Sequence, residues 1–252
     1  MFYGYLKKAS ITLMFLVTML FFLQNGLNAQ TAVVNRTGTI KLTLPDSTVS
    51  IIGKDDALPD IPLGSKVELI SGSMDIEPRE GFIQVVAGDS VATVKAGDRV
   101  TVSINSLTKK ASFKVFAGRI KVITANTSTA LETDQEVEIS LDRRTGQTEI
   151  RSVRGDIETT TIGIMVTVFQ GSDAVVDVDP ETRIVHVESI NGDVAVASLE
   201  GKIIRLAKRE STDAEGSIAG EIQTFAQEAM AAVVPMEEPV EPERPEASPH
   251  RP

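Results

Sequence analysis

Three stretches decide how this chain is read: Phe113-Lys114-Val115-Phe116-Ala117-Gly118-Arg119-Ile120, Ile150-Arg151-Ser152-Val153-Arg154-Gly155-Asp156-Ile157 and Val187-Glu188-Ser189-Ile190-Asn191-Gly192-Asp193-Val194. Each runs from alternating residues into a glycine and resumes with an aliphatic residue two positions later. The glycines at 118, 155 and 192 stand 37 residues apart both times, without a gap. The same register lays Val137, Ile139, Leu141 and Asp142 over Ala174, Val176, Val178 and Asp179. A shorter copy, Ile83-Gln84-Val85-Val86-Ala87-Gly88-Asp89, precedes the first stretch by 30 residues. Period-two alternation marks strands with one buried face. A fixed period of this length marks a supersecondary unit used repeatedly, each copy stacking its apolar face on the next.

Outward from these stretches the alternation continues. Ile40, Leu42 and Leu44 lead to a turn at Pro45-Asp46-Ser47, after which Val49 and Ile51 resume. Asp55 to Pro62 reads as a loop. Val67 and Leu69, then Met74 and Ile76, read as a hairpin about Ser71-Gly72-Ser73. Further pairs follow at Val91/Val94, Val100/Val102, Ile120/Val122, Val137/Ile139, Ile164/Val166, Val176/Val178, Val185/Val187 and Val194/Val196. Short strands between closely spaced turns predict an all-β fold, a repetitive β-roll or sandwich spanning residues 38–210. Gln30 to Arg36 is polar and reads as a lead into it.

The ends are of a different kind. Lys7 and Lys8 precede the apolar run Ile11 to Leu23; Gln24-Asn25-Gly26 breaks it, and Ala29 offers a small residue for cleavage. This order is that of a secretory signal peptide, residues 1–29, forming a short helix before removal. The run is short of the roughly 20 residues a bilayer span needs. No stable membrane span remains if cleavage occurs, and an uncleaved segment anchors the chain to the inner membrane. At the other end Ile218, Ile222, Phe225, Ala226, Ala229, Met230 and Val233 fall on one stripe of a helix over 217–234, capped by Ser217 and stopped by Pro235. Residues 235–252 are rich in proline and glutamate and are expected to stay disordered.

Charge and composition narrow the function. The net charge is −10 and becomes −12 when Lys7 and Lys8 leave. That excess repels phosphate backbones and argues against nucleic acid as a partner. With no cysteine, disulfides, thiolate nucleophiles and iron–sulfur clusters are excluded. The two histidines are His186, within a strand pattern, and His250, in the tail; a serine–histidine–acid triad lacks its parts. A carboxylate pair is the remaining catalytic option, with Asp177 and Asp179 on one strand or Asp55, Asp56 and Asp60 in one loop. Glycan enzymes hold sugars on aromatic platforms, however, and beyond residue 29 only Phe82, Phe113, Phe116, Phe169 and Phe225 remain. Four Gly-Asp pairs (88–89, 97–98, 155–156, 192–193) read as turns, since no Asp-x-Asp-x-Asp-Gly calcium loop is present. The residues therefore point to a non-enzyme with no catalytic, metal or cofactor site.

The stretch Ile61 to Ile150 resembles the FecR-like domain family of bacterial envelope proteins. The resemblance rests on Leu63-Gly64-Ser65-Lys66-Val67-Glu68-Leu69 with Met74-Asp75-Ile76, on Phe113 to Val122, and on Leu131-Glu132-Thr133-Asp134-Gln135-Glu136-Val137-Glu138-Ile139. Asp134 stands where the family has glycine, and the family's glycine-aspartate opening is displaced. The resemblance implies an extracytoplasmic β-domain for sensing or envelope interaction. Family regulators carry a cytoplasmic segment that engages a sigma factor; here only a handful of residues precede the apolar run, so only the β-domain is expected to correspond. The sequence thus leads to a periplasmic, envelope or secreted protein that binds a protein or glycan. Self-association through repeat edges or the 217–234 helix is the alternative, and a carboxylate-based glycan-acting enzyme comes third.

Overall fold

The computed structural model describes residues 33–198 and 201–216. The segments read as signal peptide, amphipathic helix and tail lie outside the described residues. The described residues form twenty strands in two sheets, of nine and eleven strands. The chain opens with β1 (Val33–Arg36), β2 (Ile40–Thr43), β3 (Val49–Ile52), β4 (Lys66–Leu69) and β5 (Gly72–Ile76). Hairpins then alternate between the sheets. β6 (Phe82–Ala87) and β7 (Ser90–Lys95) join the eleven-stranded sheet, and β8 (Arg99–Ile104) and β9 (Ala111–Ala117) the nine-stranded one. β10 (Arg119–Thr124) and β11 (Thr127–Glu132) return to the first; β12 (Glu136–Leu141) and β13 (Thr148–Arg154) return to the second. The alternation continues with β14 (Ile157–Thr161) and β15 (Ile164–Val168), β16 (Asp173–Val178) and β17 (Ile184–Asn191), and β18 (Val194–Ala197) and β19 (Ile203–Leu206). β20 (Ser211–Glu215) completes the nine-stranded sheet.

Every pairing is antiparallel except β4 with β6. Both sheets grow in one direction along the chain, so β1 and β3 lie at one end and β20 and β19 at the other. Inward residues of both sheets join one apolar cluster, which makes the body a sandwich. Phe113, Ile40, Ile83, Ile120, Leu131, Ile139 and Ile150 are fully buried within it. Each such side chain is worth about 1.5–3 kcal/mol of hydrophobic stabilisation relative to exposure.

β8, β12 and β16 begin at residues 99, 136 and 173, and β9 and β13 at 111 and 148. The pairing register slips at the same point of each: between Arg99 and Val100, Glu136 and Val137, and Asp173 and Ala174. The extra residues opposite these slips are Phe116, Val153 and Ile190, all exposed on the outer face of the nine-stranded sheet.

Four local readings change. Val67/Leu69 and Met74/Ile76 are not a hairpin: β4 lies in one sheet and β5 in the other, so the chain crosses at Ile70-Ser71. Gln30 to Arg36 is not only a lead, because β1 pairs with β5 along Val33 to Arg36. The β-body runs past 210 to take in β20, whose polar sequence Ser211-Thr212-Asp213-Ala214-Glu215 hid an edge strand. Gly88 closes a hairpin within one sheet, whereas Gly118, Gly155 and Gly192 sit where the chain passes between sheets, a place that Gly81 occupies one step earlier.

β11 and β14 lack apolar alternation because their inward residues are largely threonine. Thr129 and Thr159 are buried and share a hydrogen bond of 2.8 Å between hydroxyls. Ser90 and Thr124 do the same at 2.6 Å, and the Thr127 and Thr161 hydroxyls donate to the carbonyls of Thr124 and Asn126. Satisfied by one another or by backbone carbonyls, these hydroxyls enter the core at little cost.

Candidate functional site

The carboxylates singled out from the sequence are placed by turns. Asp179 does not share a strand face with Asp177: β16 ends at Val178, and Asp179 folds back to accept from the Glu181 and Thr182 backbone N–H groups at 2.8 and 3.1 Å. The Thr182 hydroxyl and N–H groups beside it hold its carboxyl below the usual aspartate range. Asp142, 37 residues earlier, accepts from Arg144 N–H at 2.8 Å and Thr145 N–H at 3.4 Å, and the Arg144 N–H is the chief cause of its lowered pKa. Asn105, another 37 residues back, accepts from Leu107 and Thr108 N–H at 3.0 and 3.1 Å. Each turn then bends through a positive φ, at Lys109, Gly146 and Arg183. The three turns therefore share one hydrogen-bond pattern, an Asx side chain mimicking a backbone carbonyl. The signal Asx-x-x-Thr at 105, 142 and 179 was present in the sequence and is missed by an eye on aliphatic residues.

The passages between sheets form a second series. The glycines at 118, 155 and 192 have φ of 83°, 75° and 77°. A Cβ at each would lie 2.0 Å from Asp98 Oδ1, 3.0 Å from Gln135 Cγ and 2.2 Å from Ser172 Oγ. Those three side chains tie the passage together. Asp98 accepts from Lys95 N–H (2.8 Å) and Arg119 N–H (3.1 Å). Gln135 donates to the Asp156 carbonyl (2.7 Å), and Ser172 Oγ accepts from Asp193 N–H (2.9 Å). Two more of the Gly-Asp carboxylates are engaged in the same way: Asp156 accepts from Gln170 N–H, and Asp89 accepts from the Arg143 guanidinium, whose pKa it raises.

His186 and Asp177 lie on the outer face of the nine-stranded sheet. Asp177, His186 and Asp213 are direct cross-strand neighbours on β16, β17 and β20. The His186 Nδ1 is 2.6 Å from Asp213 Oδ1, while Asp177 Oδ2 accepts from Gln147 Nε2 at 3.3 Å. The row is open to solvent and has no hydroxyl nucleophile in its hydrogen bonds. Of the loop carboxylates, Asp56 accepts from Gly53 N–H at 2.7 Å. Asp55 and Asp60 are exposed in the same loop. His250 is outside the described residues. Among the described residues, no three histidine, aspartate or glutamate side chains are grouped to hold a metal ion.

The two outer faces differ in charge. From β5 to β20 the nine-stranded face carries nine outward carboxylates against Arg99, Lys114, Arg151 and Arg154. Ladders of opposite charge cross it: Arg151 lies 3.7 Å from Glu138 and 3.4 Å from Asp173, and Lys114 3.7 Å from Glu136. Arg99 and Lys114 also stand over the Phe116 ring, at 5.7 and 5.2 Å from its centre. The eleven-stranded face is less ionic and reversed in sign, with six outward cations and three carboxylates. A shallow open cleft of about 330 Å³ lies near β19, between Phe169, Asp193, Arg205 and Glu210. The Glu210 carboxylate already accepts from Ala207 N–H, so the cleft holds no paired free carboxylates for acid–base work. Set beside known proteins, the chain matches no family model, no curated protein and no solved structure.

Proposed function

We propose that this chain is a non-catalytic, exported envelope protein whose β-body is a binding scaffold of 37-residue units, each a hairpin in one sheet followed by a hairpin in the other. The observation that carries this reading is the use made of the polar residues. Asn105, Asp142 and Asp179 build the same turn three times, and Asp98, Gln135 and Ser172 brace the same passage three times. Carboxylates so engaged are parts of a frame and not free acids or bases. Function then resides on the outer faces, where a protein or glycan surface is bound, in keeping with the FecR-like resemblance and the signal peptide read over residues 1–29. The compartment is the periplasm or cell envelope. The reading is tested by fractionating cells that express the full chain and co-sedimenting the exported form with purified envelope. Association that survives removal of free protein supports it; recovery wholly in the medium, with no envelope-bound fraction, overturns it.

A second reading is end-to-end assembly, favoured by the four edges that β1, β3, β19 and β20 leave without a strand partner among the described residues. Unpaired strand edges are templates for further strands. Val49→Pro on β3 removes a donor that faces away from β2, and loss of polymers on that change alone would identify this mode.

A further inference from the structure

The outer face of the eleven-stranded sheet carries a row of residues that runs from β6 to β15 without a charge. By pairing register it is Val86, Val91, Ile123, Ser128, Thr160, Met165. Thr160 and Met165 are exposed, Ser128 and Ile123 half-buried, and Val91 and Val86 little exposed at the far end. The last described residue lies beside the near end of this row. Gly216 N–H donates to the Arg183 carbonyl at 2.9 Å, and the residue presses on the turn between β14 and β15. A Cβ at Gly216 would lie 2.6 Å from Ile162 Cδ1 and 2.7 Å from the Ile162 carbonyl oxygen. Thr160 and Met165 face each other on the two arms of that same turn. The chain therefore leaves the β-body at the rim of the eleven-stranded sheet, although β20 belongs to the other one.

We infer that the segment 217–234 of the same chain lies along this row, with its apolar stripe from Ile218 to Val233 against the sheet. Length fits. As a helix the stripe measures about 25 Å, and the five strand spacings from β15 to β6 measure about 24 Å. A helix this short is marginal by itself in water and gains its stability from a surface that takes up its apolar side. Charge chooses between the two faces. Residues 217–243 hold six glutamates and no lysine or arginine. The eleven-stranded face, with six outward cations against three carboxylates, attracts such a segment. The nine-stranded face, with nine carboxylates against four cations, repels it. Beyond the scaffold reading, a cover of this kind withdraws the eleven-stranded face from the surfaces open to a partner. The acidic nine-stranded face is then the one left to meet the envelope.

The chain has no cysteine, so introduced pairs test the placement in the purified, exported full chain. Ala226→Cys with Ser128→Cys should be joined by a short bis-maleimide within one chain, at a yield independent of protein concentration. Ala226→Cys with Ser112→Cys, on the opposite face, should not be joined. A glutamate-specific protease should cut at Glu221 and Glu228 about tenfold faster or more in Phe225→Asp and in Thr160→Glu than in the unaltered chain, because cleavage follows the undocked population. Thr160 is exposed, so Thr160→Glu repels the segment without disturbing the core. Cross-links formed only between chains would give the face to a second copy's segment and overturn the placement. So would joining to Ser112→Cys, the absence of any cross-link, or cleavage indifferent to Thr160→Glu. Envelope binding by a chain that fails these tests would sink the cover and leave the scaffold reading standing.

Discussion

Replacing Gly118 with alanine should be among the most damaging single-methyl changes in the molecule. Its φ of 83° is one that L-residues adopt at a cost of about 1–2 kcal/mol. The new Cβ would sit 2.0 Å from Asp98 Oδ1 and 3.0 Å from Asp98 Cα, so the carboxylate must swing away. Asp98 is only 7 % exposed, and its two backbone partners, Lys95 and Arg119 N–H, would lose charged acceptors. Hydrogen bonds to charged groups contribute about 1.5–3 kcal/mol each. The expected loss is about 4–8 kcal/mol, a large part of the 5–15 kcal/mol stability typical of domains. Gly146→Ala is the control. Its φ is 80°, but no atom lies within 4 Å of its new Cβ. The chain itself places Lys109 and Arg183 at the equivalent point of the neighbouring turns, with φ of 58° and 63°. That variant should lose only about 1–2 kcal/mol. Urea unfolding of the full chain measures both. Adding Asp98→Ala to Gly118→Ala should cost less than the sum of the two single changes, since the clash goes with the carboxylate. Equal losses for Gly118→Ala and Gly146→Ala, or strict additivity with Asp98→Ala, would refute the close-packing argument.

Three other outcomes are expected. Thr129→Val or Thr159→Val alone strands one buried hydroxyl and should cost about 1–3 kcal/mol, while the double variant recovers most of the loss; thermal midpoints of the four chains check this. Phe113→Ala removes a fully buried ring and should cost about 3–5 kcal/mol in denaturant titration. The carboxyls of Asp142 and Asp179 titrate below 3.8 in the folded chain, so the stability they give is complete above that value. It is lost as pH falls through their lowered folded values. Asp142→Asn with Asp179→Asn should keep both turns, as Asn105 does, and flatten the acid limb of a stability–pH curve; an unchanged limb would show that the turns do not set it.

Much of the fold was legible where one physical rule dominated. Alternation at Phe113-Val115 or Val137-Ile139 is the direct imprint of one buried face, and Gly118, Gly155 and Gly192 each answer a positive φ with a close neighbour. What stayed hidden obeyed other rules. Thr127, Thr129, Thr159 and Thr161 are polar by type yet turned inward, where each hydroxyl finds another hydroxyl or a backbone carbonyl. β20 is an edge strand with three exposed residues, so nothing in its sequence separates it from a loop. Val67 to Ile76 looked like a hairpin because local sequence does not record which sheet a strand joins. Asp177 and Asp179 were close in sequence but divided by a strand end. The sites followed the same pattern: Asx-x-x-Thr turns could have been read from residues 105, 142 and 179, while the charge contrast between faces needed the register of both sheets.

The placement of the chain's described ends has a mechanical consequence. Val33 lies on one outermost strand of the nine-stranded sheet and Gly216 follows the other, about 40 Å away across the ladder. Tension between them acts across the strands, not along them. It loads the hydrogen bonds of the terminal rung first and peels strands in succession, instead of shearing a whole ladder at once. Held at both ends, the sandwich would pay out slack in steps of one hairpin, giving way gradually from its rims while its middle strands keep their packing.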